Sequence, residues 1–292
     1  MKILDELREE MGKCGLDAYF ETLAPLAKNS IRIVLDVQGD ENIPIGVSKF
    51  GGCPDLPAEV EWFRTGSGTP MTFLAQINFA ETVAYDLDNK LPKYGTLYIF
   101  YDCSDDGIPW GFDPEDSDAW NVFFYDGDTT FLSRREAPED LGQDYNGGIF
   151  GSAKMFFDAV MELPSVNSDL IKNLDSPLDR KQIIRYLKWL CTQQGAYANK
   201  LLGHADPVQN GMELQCEYVT HGIHYWNTEE FARGESMGLD KNAARWNLLM
   251  QIECNKEIGM IWGDMGALFL WITDEDLAAR NFENVWLIPQ SY

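Results

Sequence analysis

Two hydrophobic stretches, TFLAQIN at residues 72–78 and NLLMQIE at 247–253, set the predicted architecture because they are similar yet lie far apart in the chain. Two further similar pairs follow in the same order: GTLYIFYD at 95–102 with GALFLWIT at 266–273, and NVFFY at 121–125 with NVWLI at 284–288. Strand propensity explains the shared Val, Ile, Leu and aromatic residues, but it does not favour the shared Gln, Gly and Asn. The sequence therefore predicts an internal duplication of one β unit, with chance similarity between β-rich segments as the alternative.

Hydrophobic periodicity predicts the structure of the segments around these units. Residues 1–30 form a predicted helical appendage, since their apolar residues are spaced for one helix face. The stretch IRIVLDV at 31–37 alternates apolar and polar residues and predicts a strand, and residues 210–220 alternate in the same way and predict another. Residues 177–194 predict an amphipathic helix that covers a sheet, with Ser176 as its N-cap.

The predicted fold class is α+β, mainly β, with two related antiparallel β units packed in one compact body under covering helices. The first unit spans about residues 45–131 and the second about 245–292, both inside a single domain of residues 31–292. No segment is rich enough in Gly, Ser or Pro to predict a flexible linker between domains. The run IGMIWGDMGALFLW at 258–271 predicts a β-hairpin that turns between Gly263 and Gly266.

Charge and composition restrict the partners of the chain. Its 292 residues carry a formal net charge of −24 at pH 7, which disfavours binding to nucleic acid or to an anionic membrane surface. We find no run of about 18 apolar residues, no signal-peptide pattern and no CxxC pair, so we expect a cytoplasmic protein with reduced cysteines. Solubility explains the acidity in one interpretation, and a surface that meets a basic protein partner explains it in the other.

Several motifs together carry a resemblance to a known family. They are SKFGGCPDLP (48–57), LAQIN (74–78), WGFDPED (110–116), LLGHADPVQ (201–209), LLMQIE (248–253) and MIWGDMGALFLWI (260–272). Through them the chain resembles the YwqG family of bacterial cytosolic proteins, also described as a domain of unknown function, from about residue 45 to the carboxyl end. The resemblance implies a β-rich α+β fold and no particular reaction. The chain departs from the family at His204, where an aromatic residue is expected, and in its last residues, which lack a cysteine that many members carry.

The segment DCSDDGIPWGFD at 102–113 gives the strongest chemical signal. Its oxygen-bearing residues Asp102, Ser104, Asp106 and Asp113 fall at positions 1, 3, 5 and 12 of a calcium-binding loop, with Gly107 at position 6. However, position 12 is Asp where the longer Glu is usual, and the loop follows a predicted strand instead of a helix. A solvated acidic loop is the favoured alternative, and we predict no cofactor and little change in melting temperature with calcium.

A second constellation contains possible zinc ligands. Cys216, His221 and His224 lie close in sequence, followed by Glu229 and Glu230, but this spacing does not set a zinc geometry and ordinary imidazoles are the alternative. The chain also lacks a phosphate-binding loop, a dinucleotide-binding fingerprint and a nucleophile elbow. The sequence therefore identifies no catalytic residue and leaves open whether the protein is an enzyme.

The remaining candidates are residues for a ligand pocket between the two β units. Gln76 and Gln251 occupy matched positions inside apolar strands, where a buried amide either pairs with neighbouring polar groups or lines a pocket floor. The full predicted set is Gln76, His204, Gln251, Trp262 and Asp264. We expect a non-catalytic binding protein with an acidic surface, and the alternative is a small-molecule enzyme or ligand-binding protein that uses this pocket.

Overall fold

The computed structural model describes residues 2–104, 109–142, 148–172, 174, 178–192 and 198–292 of the chain. The strands in these residues are β1 (Lys28–Val37), β2 (Lys49–Phe50), β3 (Asp55–Pro57), β4 (Thr72–Asn78), β5 (Thr96–Tyr101), β6 (Trp120–Tyr125), β7 (Leu132–Arg134), β8 (Ala153–Glu162), β9 (Lys200–Leu202), β10 (Trp246–Glu253), β11 (Ala267–Thr273) and β12 (Trp286–Gln290). The α-helices in the same residues are α1 (Lys2–Lys13), α2 (Phe20–Leu23), α3 (Asp169–Lys172), α4 (Arg180–Leu190), α5 (Glu213–Val219), α6 (Thr228–Met237) and α7 (Asp274–Ala279).

One large antiparallel sheet organises the described residues. Its strand order is β12-β11-β10-β9-β1-β8-β2-β4-β5-β6, and β3 and β7 form a separate pair. The long strands β1 and β8 pair at its centre, with Val34 opposite Phe156. We call β8, β2, β4, β5 and β6 the first half of the sheet and β1, β9, β10, β11 and β12 the second half. The sheet is nearly closed and carries helices, which confirms the predicted mainly β, antiparallel class.

The two halves share the same irregularity in their strand pairing. The pairing of β4 with β5 shifts at Leu74, and the pairing of β10 with β11 shifts at Leu249. Gln76 then lies opposite Tyr98, as Gln251 lies opposite Phe269. Both pairings agree with the sequence alignment of the two units. The duplication itself stays a prediction, and these matched positions support it.

For the third aligned pair of segments, the strand pairing does not agree with the sequence alignment. Phe123 of β6 lies opposite Tyr98, whereas Ile288 of β12 lies opposite Phe269, so the structural match differs by two residues from the alignment of NVFFY with NVWLI. A shift of two residues keeps every side chain on the same face of its strand, and hydrophobic pattern alone therefore does not detect it.

A common hydrophobic core joins the halves and explains why apolar and polar residues alternate in the central strand β1. Ile31 and Ile33 of β1 are buried together with Ile77 of β4 and Leu268 of β11. The helices α1 and α4 instead pack on each other in a separate cluster that includes Met11 and Trp189. As predicted, helices form in the first 30 residues and IRIVLDV lies in a strand.

Residues 210–220 are the main correction to the predicted elements. They contain α5, not a strand, and the alternating residues Met212 and Cys216 are buried together with Gln215 and Glu217. Because this short helix is buried on most sides, its sequence lacks the one-sided pattern by which an exposed helix is identified. Gln215 can be buried because its side-chain amide donates to the Gly111 carbonyl.

Two other predicted elements are shorter than expected. The helix predicted for 177–194 is α4, Arg180–Leu190, and Asp179 caps it; the predicted cap Ser176 lies outside the described residues. In the hairpin predicted for 258–271, only the segment from Ala267 forms a strand among the described residues, preceded by an isolated bridge between Asn255 and Met260. The turn itself lies where it is predicted, at residues 263–265, and the Gly266 amide donates to the Trp262 carbonyl across it.

Candidate functional site at the seam of the sheet

The two end strands of the large sheet, β6 and β12, meet at a line that we call the seam. The Trp120 indole N–H of β6 donates to the Val285 carbonyl at 3.0 Å, and its ring lies edge-on to Trp286, with 4.9 Å between ring centroids. Further along, the rings of Phe124 and Phe282 are 5.1 Å apart. Aromatic contacts therefore join the two halves where strand pairing does not.

A cleft of about 800 Å3 opens at one end of the seam. Three tryptophans line it, Trp120, Trp246 and Trp286, and its polar lining residues include Asn121, His221, Arg245, Glu275, Asp276 and Glu283. This volume lies in the range of protein clefts that hold ligands. We call this cavity the seam cleft.

A buried carboxylate binds Arg245, an arginine that lines the seam cleft. Glu217 of α5 is fully buried, and one of its oxygens accepts from Arg245 Nε and from the Trp246 indole, both at 2.9 Å. The Arg245 side chain remains 37% exposed. The His221 ring contacts the same helix through the Glu217 carbonyl, at 2.7 Å. The buried carboxylate of Glu217 therefore pairs with the charge of Arg245.

Three acidic residues, which we call the acidic wall, also line the seam cleft: Glu275, Asp276 and Glu283. Asp276, near the start of α7, accepts from the Thr273 hydroxyl at 2.7 Å and from the Asn284 amide at 2.8 Å. Desolvation opposes its ionisation, but these hydrogen bonds, a further one from Asn281 and the charge of Arg245 together outweigh it and lower the pKa of Asp276. Glu275 and Glu283 are exposed beside it. The seam cleft is therefore lined by three carboxylates and one arginine, and that arginine is already paired with Glu217.

The sequence around β6 adds to this negative charge. Residues 94–133 contain no Lys or Arg. Their acidic residues are Asp102, Asp105, Asp106, Asp113, Glu115, Asp116, Asp118, Asp126 and Asp128. Pro114 and Ser117 from this stretch also line the seam cleft. The strand at the seam is therefore preceded and followed by carboxylates.

The predicted calcium ligands have local structural roles where they are described. Asp102 accepts from the Ser104 amide at 2.9 Å, and Asp113 caps the short helix Pro114–Ala119 in a capping box with Asp116. Asp106 lies outside the described residues. Within the described ranges, no group of three or more His, Cys, Asp or Glu side chains is arranged to hold a metal ion.

The possible zinc ligands contact different groups and lie in different environments. Cys216 is buried in α5, and burial raises the pKa of its thiol well above the usual value. His224 lies between two glutamates, 2.9 Å from Glu230 and 3.2 Å from Glu115. His224 therefore joins α6 to the acidic stretch before β6, which is a bridging role.

The predicted ligand residue Gln76 belongs to a buried cluster in the first half of the sheet. Its amide oxygen accepts from the Asp55 backbone N–H at 2.8 Å, and its amide nitrogen donates to the Asp55 carboxylate at 2.7 Å. Lys49 lies opposite Gln76 in the sheet and forms an ion pair with Asp40 at 2.6 Å. Arg134 binds the other side of Asp55, at 2.9 Å.

Gln251 belongs to a matching cluster in the second half. Its oxygen accepts from the Asp206 backbone N–H at 2.9 Å, and its nitrogen donates to the Asp206 carboxylate at 3.1 Å. Lys200 lies opposite Gln251 and pairs with Asp206 at 2.8 Å and with Glu162 at 3.1 Å. We call the sets around Lys49 and Lys200 the first and second lysine clusters.

The segments that follow the two lysines also match. KFGGCPD begins at Lys49 and KLLGHAD at Lys200, and the third and fourth residues of both have positive φ: 58° and 65° in the first, 59° and 74° in the second. In both, the fifth residue donates its backbone N–H to an acid, Cys53 to Asp40 and His204 to Glu162. The three aligned pairs of segments in the sequence did not include KFGGCPD and KLLGHAD, because only the Lys, one Gly and the Asp are identical.

The two lysine clusters differ in charge. Where the first half has Asn78, the second has Glu253, whose carboxylate accepts from Gln251 at 2.7 Å. Burial and the charge of Asp206 raise the pKa of Glu253 to about 7. The second cluster therefore holds a titratable acid where the first holds a neutral amide.

The five predicted ligand residues do not converge on one pocket. Gln251 and His204 lie at the second lysine cluster, and Gln76 lies at the first. Burial lowers the pKa of His204 to about 3, and its ring contacts the Leu26 carbonyl at 2.7 Å. Trp262 packs edge-on to Tyr101 in the core, and the Asp264 carbonyl accepts from the Tyr292 amide at 3.4 Å.

Sequence reasoning missed the residues that form the seam cleft. Glu217 lies in the segment predicted as a strand, and Arg245 and Asp276 belong to no motif. The one available signal was the sequence N-V in both third segments, since Asn121 and Asn284 both line the seam cleft.

Comparison with known proteins agrees with the resemblance found in the motifs. No curated protein matches the chain. None of the described helices is long and apolar enough to cross a membrane. A sequence model of a family described as a domain of unknown function (DUF1963) matches residues 48–290, which include Lys49, Lys200 and the seam. Because this match covers most of its length, the chain belongs to the DUF1963 family.

Proposed function

We propose that this chain is a non-catalytic binding protein that meets a basic protein partner in the cytoplasm, at the seam cleft. The observation that carries the proposal is the acidic wall of Glu275, Asp276 and Glu283, in a cleft whose arginine is already paired with Glu217. The net charge of −24 extends the same preference over the whole molecule. Such a field accelerates association with a positively charged partner and repels nucleic acid.

A defined basic peptide tests this proposal. Fluorescent hexalysine and hexaglutamate are titrated with the protein at about 20 mM and at about 0.5 M salt, where screening lengths differ several-fold. We expect hexalysine to bind at low salt and to be released at high salt, and hexaglutamate not to bind. No binding of hexalysine at low salt would contradict the proposal.

A pair of matched variants locates the binding. The double variant Glu275→Gln with Glu283→Gln removes two exposed charges from the seam cleft, whereas Glu6→Gln with Glu257→Gln removes two exposed charges outside it. We expect the first variant to weaken hexalysine binding at least about fivefold and the second to change it less than twofold. Equal losses would mean that charge acts from the whole surface and not from the cleft.

The volume of the seam cleft favours one alternative. A cleft of about 800 Å3 between the two halves is large enough for a metabolite, so a small-molecule enzyme or ligand-binding protein is the second candidate. A metabolite library screened by thermal shift distinguishes the two. Stabilisation by a small molecule that Arg245→Ala abolishes would favour this candidate over a protein partner.

A further inference from the structure

A second cavity, of about 510 Å3, lies where the loop before β5 meets α7. Its charged lining residues are Lys90, Lys93, Asp274 and Arg280, so three of the four are basic. The whole chain has the opposite balance, with 47 acidic residues against 23 Lys and Arg. We call this cavity the basic groove. No described residue lines both the basic groove and the seam cleft.

A buried acid fixes the loop of the basic groove. The Asp86 carboxylate accepts from the backbone N–H of Lys90 at 3.1 Å and from that of Leu91 at 2.8 Å. The Leu91 side chain is buried in the hydrophobic core. Because the backbone is held in this way, the exposed side chains of Lys90 and Lys93 extend from a fixed loop.

Arg280 reaches the basic groove from the end of α7. Its φ is 63°, a conformation that helix ends usually give to glycine. Its guanidinium lies over the Tyr94 ring, 4.9 Å from the ring centroid, and donates to the Tyr94 hydroxyl at 3.1 Å. These two contacts hold the guanidinium beside the loop, so less side-chain freedom is lost when it binds a ligand.

The charges of the basic groove are not balanced within the groove. Among the described residues, Lys90 pairs with Asp274 at 3.4 Å, whereas Lys93 and Arg280 form no ion pair. Three cations and one carboxylate give the lining a formal charge of +2. A phosphate monoester carries a charge of about −1.5 to −2 at pH 7, whereas a carboxylate carries only one negative charge. The charge of the lining therefore matches a phosphate monoester better than a carboxylate.

We propose that the basic groove binds a small organic molecule that carries a phosphate monoester group. Arg280 and Lys93 contact the phosphate oxygens, because a guanidinium offers paired N–H donors and an ammonium offers a compact charge. The groove is larger than one phosphate ion needs, and the Tyr94 ring, in a side chain that is 51% exposed, offers apolar surface to the rest of the ligand. This site does not depend on a basic partner at the seam cleft, so it goes beyond the proposed function.

Three anions test the class of ligand. Phenyl phosphate and phenyl sulfate are similar in size, but at about pH 7.5 the first is mainly a dianion and the second a monoanion. Isothermal calorimetry at about 0.15 M salt compares them with inorganic phosphate. We expect phenyl phosphate to bind with a Kd below about 1 mM and the other two anions to bind at least about fivefold more weakly. Equal binding of phenyl sulfate would contradict the preference for a dianion, and equal binding of inorganic phosphate would contradict an organic ligand.

Matched variants locate the binding of phenyl phosphate. Lys93→Gln with Arg280→Gln removes two cations of the basic groove, whereas Lys241→Gln with Lys256→Gln removes two exposed cations outside it. We expect at least about a tenfold loss of affinity in the first double variant and less than about a twofold loss in the second.

A single variant tests the basic groove without removing a cation. Asp274→Asn deletes the acid that pairs with Lys90, and we expect it to tighten binding of phenyl phosphate about twofold. Weaker binding by Asp274→Asn, equal losses in the two double variants, or no binding of phenyl phosphate to the parent chain would overturn the proposal.

Discussion

Glu253 is the residue that most clearly separates the two lysine clusters, and it leads to a prediction on pH. Its pKa is about 7 in the folded chain, against an ordinary value of 4.5. Between these values the folded chain binds more protons than the unfolded chain, so this residue makes stability fall as pH rises from about 4.5 to 7. We expect Glu253→Gln to remove this loss and to stabilise the protein at about pH 8 by up to about 3 kcal/mol.

Urea unfolding at about pH 5 and about pH 8 measures this effect. The variant should differ from the parent chain more at the higher pH. Glu257→Gln is the control, since Glu257 is exposed, and it should leave the difference between the two pH values unchanged. A gain in stability by Glu253→Gln at the lower pH alone would contradict the raised pKa.

The two buried glutamines give a second prediction at this scale. Replacing either Gln76 or Gln251 with Leu leaves the backbone N–H and the carboxylate of its aspartate, Asp55 or Asp206, without the amide. An unsatisfied buried polar group costs about 1–3 kcal/mol, so we expect both variants to lose a similar amount of unfolding free energy. Chemical denaturation checks this. A large loss in one variant and none in the other would show that the two clusters are not equivalent.

At the scale of elements, the turns that follow Lys49 and Lys200 both require a glycine at the same position. Gly52 and Gly203 have positive φ, and a Cβ would lie 2.5 Å from the Asp40 side chain at the first and 2.6 Å from Ser30 at the second. Gly68 also has positive φ, but nothing lies within 4 Å of its Cβ position. We expect Gly52→Ala and Gly203→Ala to destabilise the chain more than Gly68→Ala, which costs about 1–2 kcal/mol for its backbone alone. Thermal unfolding ranks the three, and an equal cost for all would contradict these close approaches.

The elements also show which patterns were informative in the sequence. The strands β1, β4, β5, β10 and β11 agree with predicted strands, because each is a continuous or alternating apolar run bounded by turn residues. The helix α5 was missed because it is short and buried on most sides. The short strands β2 and β9 were also missed, since two or three residues carry no period, although Lys49 and Lys200 in them anchor the two clusters.

At the scale of the whole molecule, the central strands are exchanged between the two halves. β1 precedes the strands of the first half in the chain but pairs with β9 of the second, and β8 pairs with β2 of the first. A protease site inserted at Glu139, between β7 and β8, would divide the chain into one fragment with β1–β7 and another with β8–β12. We expect the two fragments to remain together in size-exclusion chromatography in native buffer, since each sheet half includes a strand of the other fragment. Separation into two peaks without denaturant would contradict the exchange.

The candidate site was less predictable than the fold, for a reason that lies in the topology. The seam cleft combines Trp120, Arg245 and Asp276, which are distant in the chain and meet only because the sheet nearly closes. A local pattern contains no information on such a meeting. The predicted residues Gln76 and Gln251 were instead found through a repeated strand, and they lie in matched clusters apart from the seam cleft.

Hydrogen exchange with bound peptide tests the central claim most directly. Amide exchange is followed by mass spectrometry in the full chain, alone and with hexalysine at low salt. We predict slower exchange in peptic fragments that contain residues 273–286, which line the acidic side of the seam cleft, and no change in fragments from α1, which lies outside it. Protection confined to other parts of the surface, or no protection despite bound peptide, would contradict binding of a basic partner at the seam cleft.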